Sequence, residues 1–204
     1  MSNKLFLIAI ACAAAAVSQA QQIPAEAAAA MAQAMAALGQ AANQNAAAGA
    51  VDAKALRALL PGKDAFPGFK RVKASTESNA MMGFNVVVAK AEFEALEGDA
   101  GFTVQYSDIG GIQAIAKMAL AMEIDEETED GFKRTTTIDG FKAMEEYDGE
   151  DRTSEIQLFA GDRVSVSVEA HGMSFEAAKQ IVAKLDLKKL AALKAEAAPA
   201  AGAK

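Results

Sequence analysis

The 204-residue chain holds one cysteine, Cys12, and one histidine, His171. That scarcity removes several kinds of chemistry. Zinc bound by thiolates or by several imidazoles needs more such ligands than exist here. Disulfide staples need pairs. A nucleophile activated by a nearby imidazole has only His171 to draw on. His171 precedes Gly172 at the end of an alternating run, the ordinary place of a polar loop residue; a catalytic base is the sharper reading. Gly-x-Ser-x-Gly, a Walker-type phosphate loop and His-Glu-x-x-His are all missing from the sequence.

Positive charge is also in short supply. Lysine and arginine total 20 against 27 aspartates and glutamates, a formal net charge of −7. That balance speaks against nucleic acid and other anionic polymers as partners. Long apolar runs are lacking too. Leu5 to Val17 is an apolar stretch of about 13 residues, short of the ~20 that span a bilayer as a helix. With Lys4 before it and Ser18-Gln19-Ala20 after it, residues 1–20 have the form of a secretory signal peptide cleaved before Gln21. Cys12, behind Ala9-Ile10-Ala11, is the alternative: a lipid anchor. The box lacks its expected first leucine and runs on into apolar Ala13–Val17. Loss of the leader removes Lys4 and takes the charge from −7 to −8. An exported chain without disulfides must be held by a packed core. Its expected place is the periplasm or the extracellular medium.

What the sequence does contain falls into four stretches. Residues 21–50 are an alanine-rich linker or marginal helix, with Pro24 suited to a first turn and Met31, Met35 and Leu38 at i, i+4 and i+7. A spacer is the plain reading; a partner-binding helix is the sharper one. Residues 51–190 are expected to form a single α+β domain, of ordinary size for one core. Residues 191–204 are an Ala/Pro tail whose composition predicts disorder.

Within the domain, Val51–Leu60 reads as a short helix stopped by Pro61-Gly62. Strands are expected around Phe69–Ala74, over Phe84–Leu96 and from Phe102 through Tyr106. Phe84, Val86, Val87 and Val88 are apolar on both sides of the second, which predicts a place at the sheet centre. After Gly110-Gly111 the period changes: Ile112, Ile115, Ala116, Ala119 and Met122 recur at helical spacing. From Phe132 to Ala170 the period is two. Asp139-Gly140 suits a type I′ hairpin, Asp148–Asp151 a longer turn, and Gly161-Asp162 a tight one. Val164, Val166 and Val168 then alternate with Ser165, Ser167 and Glu169. Ser174 caps a closing helix whose stripe is Phe175, Ala178, Ile181, Val182 and Leu185.

These elements predict a largely antiparallel sheet of six or seven strands. Its apolar face is expected to lie under the Ile112–Met122 and Phe175–Leu185 helices, with a four-stranded meander and a C-terminal helix ending the fold. The order, with a helix at Gly111–Met122, a meander at Phe132–Ala170 and a closing helix from Ser174, resembles the Mog1/PsbP-like fold, including exported bacterial domains of the DcrB and LpqN type. The resemblance covers roughly residues 55–190 and rests on element order. It implies an exported accessory or binding protein and carries over no functional residue.

Two groups of side chains invite a functional reading. Glu123, Asp125, Glu126, Glu127, Glu129 and Asp130 form an acidic run before Gly131. Asp125, Glu127, Glu129 and Asp130 are the calcium candidates, because hard cations take clustered carboxylate oxygens. The spacing is not that of an EF-hand loop, and a solvated acidic connection is the plainer reading. Glu145 and Glu146 point to opposite faces of one strand and cannot act together. The second group is the polar face of the meander: Lys133, Thr135, Thr137, Lys142, Glu146, Gln157, Ser165, Ser167 and Glu169 share it if the four strands keep one register. Such a face hydrogen-bonds a partner or simply meets water.

The function expected from all this is an exported, non-catalytic binding or accessory protein of the bacterial cell envelope. Its partner would be an envelope protein or a small ligand, with no cofactor. The alternatives are a carboxylate- or metal-dependent periplasmic hydrolase, which needs Asp108, His171 or the Glu123–Asp130 run to converge, and a calcium-stabilised structural protein.

Overall fold

The computed structural model describes residues 50–81, 84–110 and 123–195, with the side chains of residues 80, 81, 84 and 85 excepted. The expected signal peptide, nearly all of the alanine-rich segment, the expected Ile112–Met122 helix and residues 196–204 of the tail lie outside the described residues.

Alternation of apolar and polar residues, broken by turn chemistry, yields strands β1 (Phe69–Met81), β2 (Phe84–Ala95), β3 (Gly101–Asp108), β4 (Asp125–Glu127), β5 (Gly131–Ile138), β6 (Phe141–Asp148), β7 (Thr153–Ala160) and β8 (Val164–His171). Among the described residues three helices accompany them: α1 (Ala53–Ala58), α2 (Phe175–Ala183) and α3 (Leu187–Ala191). All the pairings are antiparallel, and the strands form one sheet in the order β1-β2-β3-β8-β7-β6-β5-β4.

The sheet has eight strands, not six or seven. The extra one is β4, cut from the acidic run read as a solvated connection. Its three residues are exposed, and its ladder to β5 is made by backbone groups, which do not require an apolar side chain. The hydrophobic pattern therefore gave no sign of it. β2 is also not central. It lies between the edge strand β1 and β3, while β8 and β7 occupy the middle. β1 runs 13 residues, well past the expected end at Ala74, because it follows β2 along its whole length, with one register shift between Arg71 and Lys73.

Turn chemistry sets the meander's register. Asp139 and Gly140 both have positive φ, 50° and 85°, as a type I′ turn requires. Gly161 also has positive φ, 69°. Ala160 pairs with Val164, so this connection comprises Gly161, Asp162 and Arg163, one residue more than the dipeptide turn expected.

The register places Val87, Ala89, Ala91 and Phe93 of β2, Phe102, Val104 and Tyr106 of β3, Val164, Val166 and Val168 of β8, and Ile156 and Leu158 of β7 on one face, all buried. Of the expected pair of helices covering it, Phe175–Leu185 is present as α2, and Ile112–Met122 lies outside the described residues. Among the described residues the cover consists of α1 against β1 and β2, α2 against β7 and β8, and α3 against β7. Each helix starts on a capping side chain. Asp52 accepts from the amides of Lys54 and Ala55, Ser174 from Ala177, and Asp186 from Lys189. Leu56, Ile181, Val182, Leu187 and Leu190 are the buried helix residues that seal this side. Phe66, in the loop after α1, meets Phe93 and Phe102 edge-on at 5.2 and 5.0 Å, an arrangement aromatic quadrupoles favour. The Lys184 ammonium lies over the Phe66 ring, 5.5 Å from its centre.

Candidate functional site

A face sealed by helices leaves the opposite face to do other work. The register carries Lys133, Thr135, Thr137, Lys142, Glu146, Gln157, Ser165, Ser167 and Glu169 to that opposite face, as the alternation predicts. One transverse row crosses the whole sheet, with one side chain from each strand in spatial order: Lys73, Glu92, Thr103, Glu169, Glu155, Glu146, Lys133 and Glu126.

The charges in this row are compensated at its flanks and not at its centre. Glu92 has the Lys90 ammonium at 3.1 Å and that of Lys73 at 3.8 Å. Glu146 accepts a 2.8 Å hydrogen bond from Lys133, whose amino pKa is raised chiefly by that bond, with Glu155 and Glu126 adding through space. Between these pairs, Glu155 and Glu169 sit directly opposite each other on β7 and β8. Neither carboxylate has a hydrogen bond or salt bridge among the described residues. Burial pushes the Glu155 carboxyl above the ordinary glutamate range, with Glu169 and then Glu146 adding repulsion and Lys133 opposing. Burial does the same to Glu169, opposed by Lys90. The neighbouring row includes Gln105, Ser167 and Gln157. Ser167 is 8% exposed, and its hydroxyl has no hydrogen-bond partner among the described residues.

The other candidates are dispersed. Asp108 lies on the helix-covered face, opposite Val164, while His171 is on the polar face at the far end of β8. Seven residues of extended chain separate those two positions along β8, roughly 23 Å. The Asp108 carboxylate is also fully engaged. It accepts from the Val51 amide at 2.7 Å, the Gly110 amide at 2.9 Å, and the Arg163 guanidinium at 3.2 and 3.0 Å. It is a structural tie between the domain's entry, the end of β3 and the β7–β8 turn. His171 is exposed, with its ring so close over Gly101 that a side chain there would collide with it.

The calcium candidates are split by the strand they form. Asp125 and Glu127 stand opposite Arg134 and Phe132, Glu126 turns to the other face towards Lys133, and Glu129 and Asp130 follow in the turn. Glu126 and Asp130 border a groove of about 390 Å³, together with Lys133, Glu146, Asp148 and Glu150. Among the described residues, no three His, Cys, Asp or Glu side chains converge as a metal-ion site. The hydrolase set of Asp108, His171 and the acidic run therefore shares no cleft.

Glu145 and Glu146 separate as expected. Glu145 is 1% exposed on the helix side. It accepts from Arg134 Nε at 2.9 Å, with Lys179 Nζ at 3.4 Å from its other oxygen, a contact that makes no hydrogen bond. The Arg134 guanidinium lies over the Phe132 ring, 4.3 Å from its centre. This is a closed, internally paired cluster that ties α2 to the sheet.

Glu155 is the residue that sequence reasoning overlooked on the polar face. Its signal is its place between Thr153 and Gln157 in the alternation that puts Ile156 and Leu158 inward. Comparison with known proteins adds no relative: no family model, curated protein or solved structure matches the chain.

Proposed function

We propose that the chain is an exported, non-catalytic binding or accessory protein of the bacterial cell envelope, acting through the polar face of its sheet, which none of the described helices covers. The observation that carries this reading is the sheet's asymmetry. Among the described residues, one face is closed by α1, α2 and α3 over a continuous apolar core, and the other presents hydroxyl, amide and carboxylate groups in rows. A flat array of that kind suits recognition by hydrogen bonds and ion pairs, with specificity from the charge pattern. The leader-like residues 1–20 support export. The Mog1/PsbP-like resemblance, which rests on element order in the sequence, points the same way. The dispersal of Asp108, His171 and the acidic run supports a role without catalysis.

The test is site-specific photocrosslinking in cells carrying the full-length chain. The photoreactive residue is placed at Gln157 on the polar face and, as a control, at Lys188 on the helix side. A discrete adduct in the envelope fraction from position 157 and not from 188 is the expected result. Adducts from 188 alone, or retention of the chain in the cytosol, would overturn the reading.

A further inference from the structure

The middle of the transverse row departs from the pattern on either side of it. Glu92 has two lysines and Glu146 has one, yet the two glutamates between them face each other across adjacent strands with no basic partner in contact among the described residues. Like charges directly opposite in a sheet destabilise it, and partial burial of both carboxylates adds to that cost. One row away on the same face is Ser167, more than nine-tenths buried and with an unpartnered hydroxyl. Uncompensated charge and an orphaned buried hydroxyl beside it are features a fold keeps when a ligand completes them.

We propose that Glu155 and Glu169, with Ser167, form a binding site for an organic cation, an alkylammonium or guanidinium group. Cross-strand partners stand about 5 Å apart at Cβ, so a single nitrogen cation can donate to both carboxylates at charge-assisted hydrogen-bond distance. A serine oxygen beside them accepts a further N–H. A hard divalent cation fits less well, since it wants more oxygen ligands than two carboxylates supply and no three such side chains converge among the described residues. The same chemistry is offered by a lysine or arginine side chain on a protein partner and by a free polyamine. The inference rests on the reading of the polar face as the binding surface.

The full-length protein is titrated calorimetrically at low salt with spermidine and, separately, with the blocked peptide acetyl-Arg-Gly-Lys-amide. Saturable binding of either probe is expected. It should weaken at least tenfold in E155Q/E169Q and several-fold in S167A, and stay unchanged in E126Q, which removes a charge from the row's end. Tighter binding of the peptide assigns the cation to a protein partner; tighter binding of spermidine assigns it to a polyamine. Binding should fall on acidification through the raised glutamate range, as the carboxylates protonate. Equal binding by E155Q/E169Q and E126Q, or none by wild type, overturns the proposal. Persistence of the position-157 crosslink in E155Q/E169Q would then show that the face still binds, by other groups; absence of that crosslink in the wild-type chain would count against the broader reading. Thermal melts of each variant verify folding, and a melt of E155Q/E169Q at or above wild type is expected because repulsion has been removed.

Discussion

Asp108 and Tyr106 sit two residues apart on β3, both fully buried on the covered face, and differ in what burial does to them. Asp108 gathers two backbone amides and the Arg163 guanidinium, so its charge is compensated. Breaking a buried pair by changing one partner strands the other, at a cost of about 3–5 kcal/mol. D108A should lose stability on that scale in urea unfolding at neutral pH. The Tyr106 hydroxyl has no hydrogen-bond partner among the described residues. Burial, with the Asp186 charge adding, holds its phenol well above the ordinary tyrosine value. The folded state then favours the neutral phenol. Its contribution is complete below the unfolded pKa of about 10 and declines as pH rises beyond it. Y106F is expected to match or exceed wild type by up to about 1 kcal/mol at pH 7, and to flatten the alkaline fall in melting temperature between pH 9 and 11. The Glu155–Glu169 pair has the same sign at lower pH. Both folded pKa values are raised, so stability is greatest below the unfolded glutamate value and falls as pH climbs through the folded ones. E155Q/E169Q should remove that slope in melts from pH 4 to 7.

Among the elements, the hairpins were the most legible in the sequence. Asp139-Gly140 between alternating runs carries both its register and its turn type, because positive φ at two successive positions narrows the residue choice. The valine–serine alternation of β8 was equally plain. Strand order was not, since nothing local to β3 or β8 records that they pair. β4 was hidden because its side chains are all acidic while its backbone does the pairing. The inward positions of Asp108 and Glu145 were available in principle: each continues an apolar alternation, Phe102-Val104-Tyr106 and Ala143-Tyr147, and each was read by its charge instead. The central glutamate pair needed two facts at once, Glu155's phase and the β7–β8 register; the alternation carries the first, but a two-residue turn at Gly161-Asp162 would set Glu155 opposite Val168, and only the three-residue turn sets it opposite Glu169. Two glycines show how an element's surroundings change the same substitution. Both have positive φ, but a Cβ at Gly140 meets nothing within 4 Å, whereas one at Gly161 comes 2.9 Å from the Ala191 carbonyl oxygen at the end of α3. G140A should cost about 1–2 kcal/mol from backbone strain alone. G161A should cost more in chemical denaturation, because α3 must shift as well.

For the molecule as a whole, the β7–β8 turn is where both ends of the described domain are fastened. Val51 is bound through Asp108 to Arg163, and Ala191 lies against Gly161. Ends held at one turn are close enough to be joined. A permutant linking Leu193 to Val51 by a short Gly/Ser bridge, opened within Gly149–Arg152, is expected to retain a cooperative melt within a few degrees of wild type. Failure to fold would mean that the entry and exit are not neighbours in the way Asp108 and Gly161 imply.

The shared fastening also gives the domain a direction. The end of the sheet carrying His171, Thr153 and Asp148 is opposite the turn at which the chain enters and leaves, and Glu169 lies two positions from that far end. If the flanking segments moor the domain to an envelope surface, the mooring is at the Arg163 rim, and the glutamate pair is held towards the outer rim, where an approaching molecule would meet it first.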